Sequence, residues 1–238
     1  MLYDRVLALG AHTDDIELGC GGLLNRLRRC GSEIKAVVFS RAEESLPEGV
    51  AQDTLERECG RAMAHIGLDE SSLIVRRIPV RRFPEFRQVI LEDLVSLNKQ
   101  FEPSLVLTMN GNDTHQDHQV IHDESVRAFR SATILGYEIP WNQTETSAQL
   151  FAELTDEDID TKSAMLAEYK SQCSLGRRYM DGDYAATAAR FHGYQSKMRL
   201  AEAYQVVAMR WPLSAQAPRH CAAADQAASA PISRHADG

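Results

Sequence analysis

The chain has 238 residues, 44% of them hydrophobic and 25% charged, and a formal net charge of −8. Such a composition fits a soluble globular protein with one sizeable α/β domain rather than two small ones. The negative balance argues against a nucleic-acid partner, and no apolar run reaches the roughly 18 residues that a membrane span needs.

In chain order, a strand is expected at 4–10, then a helix over 17–30 with Leu18, Leu23, Leu24 and Leu27 on one stripe and Gly31 as its C-terminal cap. A second strand, Ile34–Ser40, precedes a polar Glu/Pro/Gly stretch at 43–49 and a helix over 51–66. Leu73–Val75 reads as the third strand, 84–100 as a helix, Leu105–Thr108 as the fourth strand, and another helix begins near His118. This alternation predicts a Rossmann-like, mostly parallel sheet flanked by helices. From 133 the pattern changes to short strands at Leu135–Ile139 and Gln149–Glu153, parted by a polar turn over Asn142–Ser147. Helices over 158–174 and 184–202 follow, with an edge strand at Tyr204–Met209. The expectation is a single domain over 1–213, its part from about 133 forming a smaller, cap-like α+β extension, and a disordered Ala/Ser/Pro-rich tail over 214–238.

The start of the chain reads as a strand without a secretory signal, and the five scattered cysteines form no C-x-x-C pair. Reduced thiols in a cytoplasmic protein are therefore expected, with Cys20 as a small buried residue. Arg76-Arg77 and Arg81-Arg82, the only basic cluster, read as a solvated strand and turn.

Two short clusters carry the chemistry: Ala11-His12-Thr13-Asp14-Asp15 after the first strand and His115-Gln116-Asp117-His118 after the fourth. Loops leaving the carboxyl ends of parallel strands converge on one crevice. His-x-x-Asp and His-x-x-His brought together there supply the mixed nitrogen and oxygen ligands of a catalytic zinc, and leave Asp14, His115 and Asp117 for acid–base work. A helix start accounts for part of the first motif, with Asp14 or Asp15 as N-cap and Glu17 in a capping box. Gly19-Cys20-Gly21-Gly22 is not a dinucleotide fingerprint: the G-x-G-x-x-G spacing is absent, and two carboxylates stand where a pyrophosphate would sit.

On these motifs the sequence resembles the PIG-L/LmbE-like zinc-dependent N-deacetylases, whose signatures are Ala-His-Pro-Asp-Asp and His-Pro-Asp-His. The likeness runs over roughly residues 3–210 and includes Glu58–Gly67, Tyr137-Glu138, Lys170-Ser171-Gln172 and Ala201–Tyr204. It implies Zn(2+) held by His12, Asp15 and His118, with Asp14 as general base and His115 as general acid or oxyanion stabiliser. Asp117 would orient a histidine from behind. The implied substrate is a small N-acetylated amino sugar or glycoconjugate, and a homo-oligomer is left open.

The chain departs from the family at Thr13 and Gln116, which replace prolines, and at Leu55, where a substrate-contacting arginine is usual. Arg57, Glu43, Tyr137, Glu138 and Trp141 are the candidate substrate contacts. Each has a plainer reading, as a solvated helix face, a loop acid, or residues buried in the smaller subdomain. His65, His122 and His192 read as structural or surface residues, with the cleft rim as the alternative for His192, and His220 and His235 as parts of the tail. The rival functions are a magnesium-dependent phosphoryl hydrolase using Asp14-Asp15 and a non-catalytic sugar-binding module on the same fold.

Overall fold

The computed structural model describes residues 3–145, 148–180 and 182–210; the tail at 214–238 and the end of the polar turn at 142–147 lie outside the described residues. One sheet organises them, with the strand order β3-β2-β1-β4-β5-β7-β6. Its strands are β1 (Arg5–Gly10), β2 (Glu33–Val38), β3 (Leu73–Val75), β4 (Leu105–Met109), β5 (Thr133–Tyr137), β6 (Leu150–Glu153) and β7 (Ala201–Ala208). β1 to β5 are mutually parallel, whereas β7 runs antiparallel to β5 and to β6. The helices are α1 (Asp15–Arg29), α2 (Thr54–Ala64), α3 (Arg87–Phe101), α4 (Gln116–Ala128), α5 (Asp156–Ala167), α6 (Lys170–Ser174) and α7 (Gly182–Ser196). None among the described residues is long and apolar enough to cross a membrane.

The expected parallel α/β sheet is therefore present, and its order explains the site. The chain winds outward from β1 through β2 to β3, then returns to lay β4 on the other side of β1, with Val6 opposite Leu105 and Ala8 opposite Leu107. That reversal is a topological switch point, and the loops leaving β1 and β4 open side by side above it. Val6–Leu9 and Leu105–Leu107 are almost completely buried, as strands covered on both faces must be.

Two expectations from the C-terminal part are corrected. The last strand begins at Ala201 and is not an edge: it is inserted between β5 and β6, which leaves β6 at the rim. The helix expected to reach 202 stops at Ser196, where Lys197 takes a left-handed conformation (φ 59°) and Met198 N–H returns to Gly193 O. The alternation Ala-Glu-Ala-Tyr suits either period, and burial within the sheet decides it. The helix expected over 158–174 is likewise two, α5 and α6, separated at Glu168-Tyr169 so that Tyr169 points into the core.

The glycine run has a packing explanation. A Cβ on Gly19 would lie 1.9 Å from the Tyr137 ring, so only glycine lets α1 approach β5 this closely. At Cys20 the helix breaks (φ −144°, ψ 16°), and the buried Glu202 accepts from the freed Gly22 and Leu23 N–H groups at 3.0 and 2.8 Å. Gly31 ends α1 at φ 90°, as its position in the sequence predicts.

Candidate functional site

The β1–α1 loop delivers His12 to Asp15. Asp14 occupies the N-cap position of α1 but makes no capping hydrogen bond, which corrects the capping-box expectation. Both carboxylates are drawn away to the cleft instead. Asp15 Oδ2 accepts from His12 N–H at 2.7 Å and lies 3.4 Å from both His12 Nδ1 and His118 Nε2. The β4–α4 segment delivers His115 as the N-cap of α4, its Nδ1 accepting from Asp117 N–H, and His118 one turn further along. His12 Nδ1 and His118 Nε2 are 3.2 Å apart.

The far nitrogen of each ring is held by a carboxylate. His12 Nε2 is 3.1 Å from Asp117 Oδ2, and His118 Nδ1 is 2.7 Å from Asp113 Oδ2. A carboxylate can only accept, so those nitrogens carry the hydrogens, and His12 Nδ1 and His118 Nε2 face one another as bare lone pairs. With Asp15 Oδ2 they form a triangle of edges 3.2, 3.4 and 3.4 Å. A tetrahedral ion with ligands at ~2.0–2.2 Å separates them by about 3.4 Å. Three acceptors at these distances repel unless a cation lies among them, so the donor set fits a divalent metal. The imidazole nitrogens of His12, His115 and His118 also fall within 4.8 Å of one another. Asp15 is the better third donor on distance, because its oxygen is 3.4 Å from both other ligand atoms.

Those lone pairs belong to the neutral rings, and a proton competes with a metal for them. Burial disfavours charge on His12, but Asp15 and Asp117 outweigh it and raise its pKa to about 10, so metal binding at Nδ1 displaces a proton. The imidazoles of His118 and His12 overcome burial to hold Asp15 down at about 2. Asp14, buried and beside that ionised neighbour, is pushed up to about 6. Burial, followed by the other two histidines, lowers His115. For Asp117, His12 and the Arg81 N–H, which donates to it at 2.6 Å, prevail over burial and lower its pKa. Adjacent carboxylates pushed this far apart are equipped for different tasks.

His12, Asp14, Asp15, His115 and His118 line a cleft of about 190 Å³ together with Thr13, Leu55, Val80, Trp141, Gln172, Arg177 and Tyr179. Of the five sequence candidates for substrate contact, only Trp141 lines it: 46% exposed, its ring is stacked on Tyr179 with centroids 4.1 Å apart. Glu43 is instead paired with Arg41 at 3.0 Å. Tyr137 is a core ring whose hydroxyl donates to Leu9 O at 2.6 Å. Glu138 faces a small cavity on the other side of Gly19, where its Oε2 lies 3.3 Å from His192 Nε2. Arg57, its side chain 58% exposed and paired with Asp53, lies in a separate groove along α2 and β3. Leu55, where the resemblance leads one to look for arginine, is buried and offers only methyl groups. His122 holds Met109 O and His65 meets Glu168 at the surface; His220 and His235 lie outside the described residues.

Sequence reasoning missed four contributors. Asp113 stands in an Asn/Gly/Asp turn that reads as loop punctuation. Arg81 contributes through its backbone, in a left-handed conformation (φ 65°), and its carbonyl accepts from Gln116 Nε2. This ties one of the two proline replacements to the loop that holds Asp117. Arg177 immediately precedes a single 3-10 turn, Arg178–Met180, that carries Tyr179, and only the fold brings the two to the cleft.

Comparison with known proteins adds three relationships. The sequence profile of the family described as PIG-L: GlcNAc-PI de-N-acetylase matches residues 7–129, just over half of the chain and a span holding both motifs. The "uncharacterized deacetylase YaiS" of Escherichia coli (strain K12) is 33% identical over 171 residues, covering 70% of this chain and 90% of the relative. Among solved structures, the N,N'-diacetylchitobiose deacetylase of Pyrococcus horikoshii superposes with a TM-score of 0.72 at 17% identity, over 85% of this chain and 83% of the other. The 4-carboxy-2-hydroxymuconate hydratase GalB of Pseudomonas putida KT2440 does so at 0.71 and 19%, over 87% and 98%. One fold thus hosts a deacetylase and a hydratase, so reaction type must be argued from the site.

Proposed function

Because this chain belongs to the PIG-L (GlcNAc-PI de-N-acetylase) family, we propose that it is a zinc-dependent N-deacetylase acting on the N-acetyl (acyl) amide of an amino sugar or N-acetylglucosamine-type glycoconjugate. The observation that carries this reading is the triangle of lone pairs on His12, His118 and Asp15, beside a second carboxylate of raised pKa. His12, Asp15 and His118 would hold the ion, each imidazole fixed from behind by Asp117 or Asp113. When bound there, the ion supplies Lewis acidity, polarising the acyl oxygen and making water more acidic. Asp14 takes the proton from the attacking water, a task suited to a carboxyl poised near pH 6. His115, with Nδ1 engaged by the Asp117 N–H, carries its hydrogen on Nε2. From there it stabilises the tetrahedral oxyanion, and the proton that Asp14 took from the water passes to the departing nitrogen. The products are acetate and a free amine.

Two imidazole donors disfavour magnesium, which prefers oxygen ligands and water, and so disfavour the phosphoryl-hydrolase rival. The described cysteines are all free, in keeping with a reducing, cytoplasmic setting. The test is acetate release from a panel of N-acetyl amino sugars by zinc-loaded protein. Turnover that stops with a chelator and returns with zinc is expected; binding of the same sugars without acetate release would favour the sugar-binding module.

A further inference from the structure

The described lining of the cleft holds one cationic side chain that no described carboxylate pairs with. Among the described lysines and arginines, only Arg177 lines it. Arg41, Arg61, Arg76 and Arg199 each meet a carboxylate at 2.7–3.0 Å, whereas Arg177 has no such ion pair among the described residues. Its guanidinium lies beside the Tyr179 phenol and acts on Asp14 only through space. Two residues on, the Tyr179 ring backs Trp141, which is half exposed at the cleft mouth and also approached by Tyr184 at 5.8 Å. Backbone bonds fix this wall: Thr114 N–H donates to Asn142 O at 2.8 Å, and Asp113 bridges to Gln143. The tryptophan therefore presents a supported aromatic face within reach of the reacting groups.

A cleft of about 190 Å³ is smaller than the ~300–1,000 Å³ that encloses a drug-sized ligand. It accommodates the reacting end of a substrate, with the remainder lying out along the wall of Trp141 and Arg177. A neutral sugar would strip water from the guanidinium and return only weak hydrogen bonds. A carboxylate or phosphate returns charge-assisted, bidentate bonds, and it needs such a partner to approach a protein of net charge −8. Resting on the deacetylase reading, we propose that Arg177 is a specificity-determining residue that selects N-acyl amino sugars carrying an anionic group, their ring lying on Trp141.

The test uses matched pairs with the zinc-loaded full chain. Phenyl and 4-carboxyphenyl N-acetyl-β-glucosaminide form the carboxylate arm; methyl N-acetylglucosaminide and N-acetylglucosamine 1-phosphate form the phosphate arm. In at least one arm the anionic member is expected to be favoured about tenfold or more in kcat/KM. Arg177→Met should bring that ratio to near one, chiefly through KM, and Arg177→Lys should keep part of it. The arm that responds identifies the anion. A wild-type ratio near one in both arms, or a ratio unchanged by Arg177→Met because both members lose equally, overturns the proposal. If nothing is hydrolysed, the deacetylase reading fails separately, and calorimetric binding of the same pairs decides this one. Tighter anion binding that Arg177→Met abolishes supports it, and equal affinities overturn it.

Discussion

Two buried polar clusters flank α1, and they differ in how they balance charge. At the helix break, the Glu202 carboxylate accepts from Gly22 N–H, Leu23 N–H, Tyr204 O–H and the Lys162 ammonium at 2.7–3.0 Å. Its negative charge is answered inside the protein, and every oxygen is engaged. At the helix start, Asp15, His12 and His118 present an oxygen and two nitrogens to one point, and no lysine or arginine among the described residues answers them there. Both clusters are buried, so burial alone does not mark a functional site. The mark is a set of acceptors whose missing partner is a cation from outside.

The largest effects should come from breaking the second cluster. His12→Ala removes a proposed ligand, and metal content measured by mass spectrometry should drop from about one ion per chain to a small fraction, with turnover lost. Asp14→Asn sharpens the point: acetate release should fall by about 10²–10⁴-fold while the ion is retained. Loss of metal in this variant would mean that Asp14 is a ligand rather than a base.

Changing the first cluster should do the opposite. Glu202→Ala strands the Lys162 ammonium, 3% exposed, without its partner, and a loss of about 3–5 kcal/mol is expected in denaturant unfolding. The protein that remains folded should keep its metal. Unchanged stability would show that the pair does not hold the helix break.

A smaller, pH-dependent effect belongs to Glu17, which lies between the clusters and meets the Tyr169 hydroxyl at 2.6 Å. That hydroxyl also contacts Thr13 O; with one proton to give, Tyr169 serves both only if Glu17 carries a proton of its own. Burial pushes Glu17 up to about 8 from 4.5. A carboxyl whose folded pKa exceeds its unfolded value favours the folded state at low pH, and that advantage is lost as pH rises through 8. The melting temperature should therefore decline between pH 5 and 8.5, and less so in Glu17→Gln. An identical decline in the variant would assign the pH dependence elsewhere.

The sheet, the two motifs and their convergence were legible because buried parallel strands write continuous apolar runs and because the fold places their following loops at the switch point. Gly31 was legible as a helix stop for the same kind of local reason. The substrate wall was not. Tyr137, a candidate sugar contact with burial as its plainer reading, is drawn into the core by the Gly19 approach. Arg177 and Tyr179 lie at a single 3-10 turn, Arg178–Met180, whose path no periodicity constrains. Asp113 and the Arg81 N–H support the histidines through tertiary contacts, and a backbone donor leaves no trace in residue type. The last strand was legible over 204–208, but its start at Ala201 escaped because Ala-Glu-Ala-Tyr fits a helix until the sheet buries it on both faces.

The central claim is that one divalent ion sits among His12, Asp15 and His118, and anomalous diffraction from zinc-loaded crystals tests it most directly. The account predicts a single strong peak at ~2.0–2.2 Å from His12 Nδ1, His118 Nε2 and Asp15 Oδ2, with His115 outside bonding distance. A peak bound by His115 with Asp15 turned away, or no peak at this point in fully loaded protein, would contradict it.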